Sequence, residues 1–163
     1  MHADDIRILY GYHFAANRKL WDVCVVPLSD EQFLHPLAYS IGSIRNQVVH
    51  MMDIEEGWFD GLRTNNADGR APFKNPEDWP TREKIRADWD TVEAKIRAYL
   101  IDLTDDDCNA PFGADPNALR KWQIMMHVLN HATDHRAQTL AMLHSLGAPT
   151  FAQDMIYHFW GKL

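Results

Sequence analysis

The sequence predicts an all-α protein, a four-helix bundle that forms a single domain over residues 1–163. Apolar residues recur at helical spacing in four long stretches of the chain, which is typical of amphipathic helices. No stretch sustains the apolar and polar alternation of a half-buried strand. A chain of 163 residues is also long enough to bury a core of its own without disulfides.

The first two predicted helices span about Asp5–Val26 and about Ile41–Arg63. The first carries apolar side chains on one face and stops before Pro27, which cannot continue a helix. The second has an apolar face of its own, and Ser40 is its predicted N-cap. The residues predicted to end the second helix are Asn65, Asn66 and Gly69.

The third and fourth predicted helices differ in how much of their surface is apolar. The third opens at Thr81 and runs to about Leu103 with a narrow apolar stripe, which predicts an outer helix of the bundle. The fourth begins between Asp115 and Trp122 and ends at Gly147. It is apolar nearly all round, so it is predicted to be the most buried helix.

Two long segments outside these helices also carry information. The link between Thr64 and Pro80 has about 17 residues, and at roughly 3.3 Å per residue it is long enough to cross the length of a bundle. The tail FAQDMIYHFWGKL, residues 151–163, is too apolar to be left in water over its whole length. We expect this tail to pack on the bundle or on a second subunit.

Composition and charge exclude several classes of function. The formal net charge is -7 with no basic stripe, so the sequence predicts no nucleic-acid partner. No apolar run approaches the roughly 20 residues that span a bilayer, so no membrane partner is predicted. Cys24 and Cys108 form no CxxC motif, and MHADDIRILYGYH lacks the features of a signal peptide. A reducing cytoplasm is therefore predicted.

The segment HVLNHATDHRAQ places histidines four residues apart in the fourth predicted helix. His131 and His135 then stack on one apolar face, one turn apart. Two neighbouring buried imidazoles must satisfy their ring nitrogens without charging together, and one metal ion meets both needs. The pair alone leaves two interpretations open: two ligands of a metal ion, or core histidines that each find a hydrogen bond.

A metal site needs a third ligand, and His50 in NQVVHMMDIEEGW is the leading candidate. It lies at the edge of the apolar arc of the second helix, on a side rich in small and polar residues. His127 extends the row by another turn and is predicted to support the site or the fold. His13 is an outside candidate. Surface or core packing is predicted for His2, His35, His144 and His158.

Three segments together resemble the DinB-like (DinB/YfiT) superfamily of metal-dependent four-helix bundle proteins. They are YHFAANRKLWD, SIGSIRNQVVHMMDIEEGWF and HVLNHATDHRAQTLAMLHSLG, in the order and at the separations that this superfamily shows. The resemblance implies one divalent metal ion, nickel or zinc, held by His50, His131 and His135. It also implies an up-down-down-up bundle and a homodimer.

A three-histidine site leaves at least one coordination position open, as in catalytic sites. Water there favours a hydrolase, and a thiol favours an S-transferase that acts on a small-molecule substrate. The resemblance implies a low-molecular-weight thiol such as mycothiol, bacillithiol or glutathione as cosubstrate. The uncompensated charge of the ion favours the thiolate.

Two non-catalytic alternatives stay open. In one, the ion only ties two helices together and Asp53 or Glu55 closes its fourth position. In the other, the bundle binds no metal and interacts with proteins through its tail.

Polar residues near the predicted site are candidates to hold the imidazoles or to contact substrate. Arg136, which faces away from His131 by roughly 140°, is predicted to tie the fourth helix to its neighbours. No catalytic residue is predicted beyond the ligands. The candidates are Asn17, Asn46, Asp53, His127, Asp134 and Gln138.

Overall fold

Helices form the whole framework of the protein in its computed structural model, which describes residues 1–67 and 71–163. Four helices are long: α1 (Ala3–Lys19), α3 (Ile44–Thr64), α4 (Arg82–Asp102) and α6 (Lys121–Ser145). Three are short: α2 (Asp30–Leu34), α5 (Asp105–Asn109) and α7 (Met155–Phe159). Neither described range contains a strand, so the predicted all-α class is confirmed.

The first predicted helix is built in two parts. A π-helix, Leu20–Val25, directly follows α1. In it the amide of Val26 donates to the carbonyl of Trp21, five residues back, at 2.9 Å. The two parts together span Ala3–Val25, close to the predicted Asp5–Val26, and Val26 is the C-cap.

The second predicted helix begins three residues later than expected. Ser43, and not Ser40, is the N-cap of α3, because the Ser43 hydroxyl accepts from the amide of Asn46. Ser40 has a left-handed backbone with φ of 51° and directs its hydroxyl to other side chains. Asn65 ends α3 in the left-handed conformation with φ of 52°, as predicted. Gly69, also predicted to end this helix, lies outside the described residues.

The third and fourth predicted helices correspond to α4 and α6. Thr81 is the N-cap of α4, as predicted, and its hydroxyl accepts from the amide of Lys84. The expectation that the fourth helix is the most buried is wrong. In α3 eleven residues are buried, whereas α6 has nine buried residues and keeps an exposed row that includes Asn130 and Asp134.

The four long helices pack around one apolar core. Both α1 and α3 pack against α4 and against α6, so α1 and α3 occupy opposite corners of the bundle. None of the helices in the two described ranges is long and apolar enough to cross a membrane.

The apolar tail packs on the bundle with one side only. The hydroxyl of Tyr12 in α1 donates to the carbonyl of Gln153 at 2.7 Å, and its ring lies 6.1 Å from that of His158. The opposite side of the tail stays exposed through Ile156, Phe159 and Trp160.

Candidate metal centre

Three histidines from two helices meet at the interface of α3 and α6. Nε2 of His50 lies 3.3 Å from Nε2 of His131. The ring of His135 is centred 4.5 Å from that of His50 and 4.3 Å from that of His131. One ring nitrogen from each residue lies within 4.8 Å of the other two, and all three side chains are half-buried.

The local structure explains how the cluster forms. His131 and His135 are one turn apart on α6, so their rings stack along the same face. Val48, two residues before His50 on α3, and Val128, one turn before His131 on α6, are fully buried in the core. The packing of α3 against α6 places His50 next to the pair on α6.

The distances fit a shared ion. Two nitrogens that each lie about 2.0–2.1 Å from one tetrahedral ion are about 3.3 Å apart, which is the separation found between His50 and His131. Burial, followed by the neighbouring His135 and His50, lowers the pKa of His131 to about 4. The imidazole of His131 is thus neutral at pH 7, the form that binds a metal.

The described residues supply no fourth ligand to the cluster. Within residues 1–67 and 71–163, no other His, Cys, Asp or Glu brings a ligand atom as close to all three histidines. The two residues predicted to close the site in the structural alternative are engaged elsewhere. Glu55 accepts from Asn17 and Trp89, and Asp53 accepts from the amide of Lys74. A metal ion held by the three histidines would therefore keep a coordination position for water or substrate.

A buried glutamine that the sequence analysis missed contacts the cluster. Oε1 of Gln47 lies 2.8 Å from Nδ1 of His135, and Gln47 has no exposed surface. Its Nε2 donates to the hydroxyl of Ser40 at 2.8 Å, and that hydroxyl donates to Oε1 of Gln138. Gln138 in turn donates to Asp134 at 3.0 Å. The one sequence signal for Gln47 is its position one turn before His50.

Of the other predicted neighbours, His127 lies beside the cluster, whereas the hydrogen bonds of Asn46 and Asn17 go elsewhere. His127 lies beside the cluster, with its ring 5.8 Å from that of His131 and 5.4 Å from that of Trp58. Asn46 donates to the carbonyl of Ile41 in the loop before α3. Asn17 is in a different polar cluster, because α1 meets a different face of α6.

A pocket of about 210 Å³ opens beside His50. The ring of Phe73 stacks on that of His50 with centroids 6.3 Å apart and an angle of 28°, and Phe73 is 65% exposed. The pocket thus has an apolar wall next to an imidazole of the cluster. Its lining residues are Ile41, Asn46, His50, Asp53, Phe73, Lys74 and Pro76.

Arg136 faces away from the histidine cluster and ties α6 to its neighbours. Its guanidinium donates to Oδ1 of Asn17 at 2.8 Å and to Oε1 of Gln153 at 3.0 Å. A third bond goes to the hydroxyl of Thr133 at 2.9 Å. The side chain is fully buried, so these contacts agree with the structural role predicted for it.

Comparison with known proteins gives one family. A sequence model described as the DinB family matches residues 3–161 of the chain. No curated protein matches the chain.

Proposed function

The chain belongs to the DinB family, and from this premise we propose that it is a metal-dependent enzyme holding one nickel or zinc ion with His50, His131 and His135. The observation that carries the proposal is the meeting of three ring nitrogens within 4.8 Å of one another. The family match over residues 3–161 confirms the resemblance found in the sequence. The three-histidine cluster and the family match are both compatible with metal binding.

A bound divalent ion supplies Lewis acidity at the open position, where a water or a thiol loses its proton more easily. The protein's own residues set the conditions for this chemistry. His131 stays neutral because its pKa is about 4, so it does not repel a cation at pH 7. His135 is oriented by its contact with Gln47.

We propose thiol-dependent S-transfer as the reaction. Three neutral imidazoles leave the charge of a divalent ion uncompensated, which favours an anionic sulfur over neutral water. In the transfer the thiol sulfur bonds to an electrophilic carbon while that carbon loses its leaving group, and the thiol proton passes to water. The apolar wall of Phe73 and Ile41 beside His50 suits the organic part of the small-molecule substrate.

We also propose a homodimer and a cytoplasmic location. The exposed apolar side chains of Phe159 and Trp160 on the tail support a contact with a second subunit. Cys24 and Cys108 are both free and buried, which supports a reducing compartment.

Elemental analysis of protein purified without a histidine tag tests the metal site. We expect one equivalent of nickel or zinc in the wild type and none in His131→Ala. His144→Ala removes an exposed histidine from the same helix and should keep the metal. If the wild type takes up neither metal when supplied with an excess of each, the proposal is wrong.

A second experiment separates the reaction types. The metal-loaded protein is assayed with glutathione, bacillithiol and mycothiol against a chromogenic electrophile, and with ester substrates in the absence of thiol. Thiol consumption that disappears in His131→Ala supports the transferase. Ester hydrolysis alone supports the alternative hydrolase, and full metal loading with neither activity supports a structural ion.

A further inference from the structure

We propose that Asp134, at the surface of α6, fixes which ring nitrogen of His135 carries the proton. It acts through a series of hydrogen bonds that links Asp134 to Gln138, Gln138 to Ser40, and Ser40 to Gln47. As a result Nδ1 of His135 carries the proton, and Nε2 keeps a lone pair that can bind an ion. The position of the proton follows from the hydrogen bonds alone, whereas the binding of an ion at Nε2 rests on the proposed function.

The first link fixes the direction of Gln138. An ionised carboxylate only accepts hydrogen bonds, so the group of Gln138 that faces Asp134 at 3.0 Å is its amide nitrogen. The carbonyl oxygen of Gln138 must then point the other way. It points at the hydroxyl of Ser40 and at the side chain of Gln47.

The second link passes this direction to Gln47. The single hydroxyl proton of Ser40 goes to the oxygen of Gln138, so the Ser40 oxygen is left to accept. It accepts from Nε2 of Gln47 at 2.8 Å, and the same nitrogen lies 3.4 Å from the oxygen of Gln138. A reversed Gln47 would set two carbonyl oxygens against each other at that distance.

The last link sets the tautomer of His135. With its nitrogen facing Ser40, Gln47 presents Oε1 to Nδ1 of His135 at 2.8 Å. An amide oxygen can only accept, so the Nδ1 of His135 must carry the proton. In a neutral imidazole the other nitrogen, Nε2, then holds the lone pair. Gln47 and the linked atoms are thus a positioning device for a ligand and do not touch substrate.

The burial of Gln47 lets these hydrogen bonds fix the direction of its amide. Gln47 is fully buried, so no water replaces its partners and a reversed amide would leave polar groups unpaired. Ser40 reaches this position through its left-handed backbone, with φ of 51°, in the loop before α3. Asp134 and Ser40 are exposed, and Asp134 is the only charged residue of the four, so its carboxylate sets the direction of the hydrogen bonds.

The test reads the tautomer directly in protein freed of metal. Long-range ¹H–¹⁵N NMR spectra at pH 8 distinguish the two neutral forms of each histidine ring. We expect His135 to be the Nδ1-protonated form in the wild type and in Gln47→Glu, whose carboxylate also accepts. We expect a mixture of both forms in Gln47→Leu, which offers no acceptor, and in Asp134→Asn, whose amide can face either way.

Matched variants control for the loss of an amide or a charge elsewhere. Gln123→Leu removes a glutamine from α6, where it accepts from the amide of Arg120. Asp60→Asn removes an exposed carboxylate that pairs with Arg63 on α3. Both should leave the spectrum of His135 as it is in the wild type. A pure Nδ1-protonated His135 in both Gln47→Leu and Asp134→Asn would overturn the proposal.

A zinc titration against a competing chromogenic chelator tests the consequence for the ion. Removing the partner of a ligating histidine weakens metal binding by about 10- to 100-fold, and we expect this for Gln47→Leu but not for Gln47→Glu. Equal affinity in wild type and Gln47→Leu would overturn the part of the proposal that concerns the ion. Failure of the wild type to bind zinc would contradict the proposed function, while the NMR result would still decide the tautomer.

Discussion

Nε2 of His13 lies 3.0 Å from Oε1 of Glu55 in the core of the bundle, and neither side chain is more than 1% exposed. The same carboxylate accepts from Asn17 at 2.8 Å and from the indole of Trp89 at 2.8 Å. Burial acts to raise the pKa of Glu55, but His13 and these donors prevail and lower it below its ordinary value. One carboxylate therefore joins α1, α3 and α4.

Substitution of this carboxylate should destabilise the fold severely. In Glu55→Gln an amide nitrogen replaces one acceptor oxygen and faces a donor, so buried partners lose their bonds. Breaking a buried polar network of this kind costs about 3–5 kcal/mol. Urea denaturation of the metal-free protein measures the loss. Glu83→Gln, an exposed position on α4, should change the free energy of unfolding by less than about 0.5 kcal/mol.

Replacement of His131 should have opposite effects with and without metal. Nδ1 of His131 is buried without a hydrogen-bond partner in the described part of the chain. His131→Leu removes this unsatisfied group, so the metal-free variant should be as stable as the wild type or more stable by about 1 kcal/mol. Zinc at a hundred times its Kd should stabilise only the wild type, by about 2.7 kcal/mol.

The measurement is the unfolding midpoint with chelator and again with excess zinc. His144→Leu, on the exposed side of α6, should respond to zinc as the wild type does. A zinc response retained in His131→Leu would contradict the assignment of His131 as a ligand.

The metal-free protein should lose stability as the pH falls from about 6.5 to about 4. The pKa of His131 is about 4 in the folded protein and 6.5 ordinarily, chiefly because burial disfavours its charged form. Within this window the unfolded chain binds the proton and the folded chain does not, so acid favours unfolding. Urea denaturation at pH 7.5, 5.5 and 4.5 should show a smaller loss in His131→Leu. Equal losses in both proteins would show that other groups cause it.

Loss of the Arg136 guanidinium should loosen the C-terminal segment as well as the core. Arg136→Met keeps an unbranched apolar stem but leaves Oδ1 of Asn17 and Oε1 of Gln153 without their donor. We expect a loss of about 2–4 kcal/mol in the free energy of unfolding. Limited proteolysis should cleave near Gln153 faster in this variant. Arg120→Met, an exposed position before α6, should behave as the wild type in both measurements.

Periodicity predicted the four long helices because each repeats its apolar face over several turns. It could not predict α2, α5 or α7, since five residues are too few for a period. The capping box of Ser29 and Gln32 was a signal for α2 that the apolar pattern did not use. Ser40 was a wrong cap because two serines precede the helix, and only the structure shows that Ser40 contacts Gln47.

The histidine pair on α6 was visible in the sequence because its two members share one helix. His50 lay at the edge of its apolar arc, so its place in the cluster depended on how α3 and α6 pack. Gln47 was missed because its partner His135 is 88 positions away in the chain. Asn17 contacts Glu55 and Arg136, and spacing within a helix does not tell which neighbouring helices a residue meets.

The bond between Tyr12 and Gln153 joins positions 141 residues apart. Synthesis proceeds from the N-terminus, so α1 emerges from the ribosome long before the residue that covers it. Arg136 meets Asn17, 119 positions earlier, and then Gln153, 17 positions later. The polar core is therefore complete only after residue 153 has been translated, and a nascent chain that stops before residue 153 leaves Tyr12 and Arg136 without this partner.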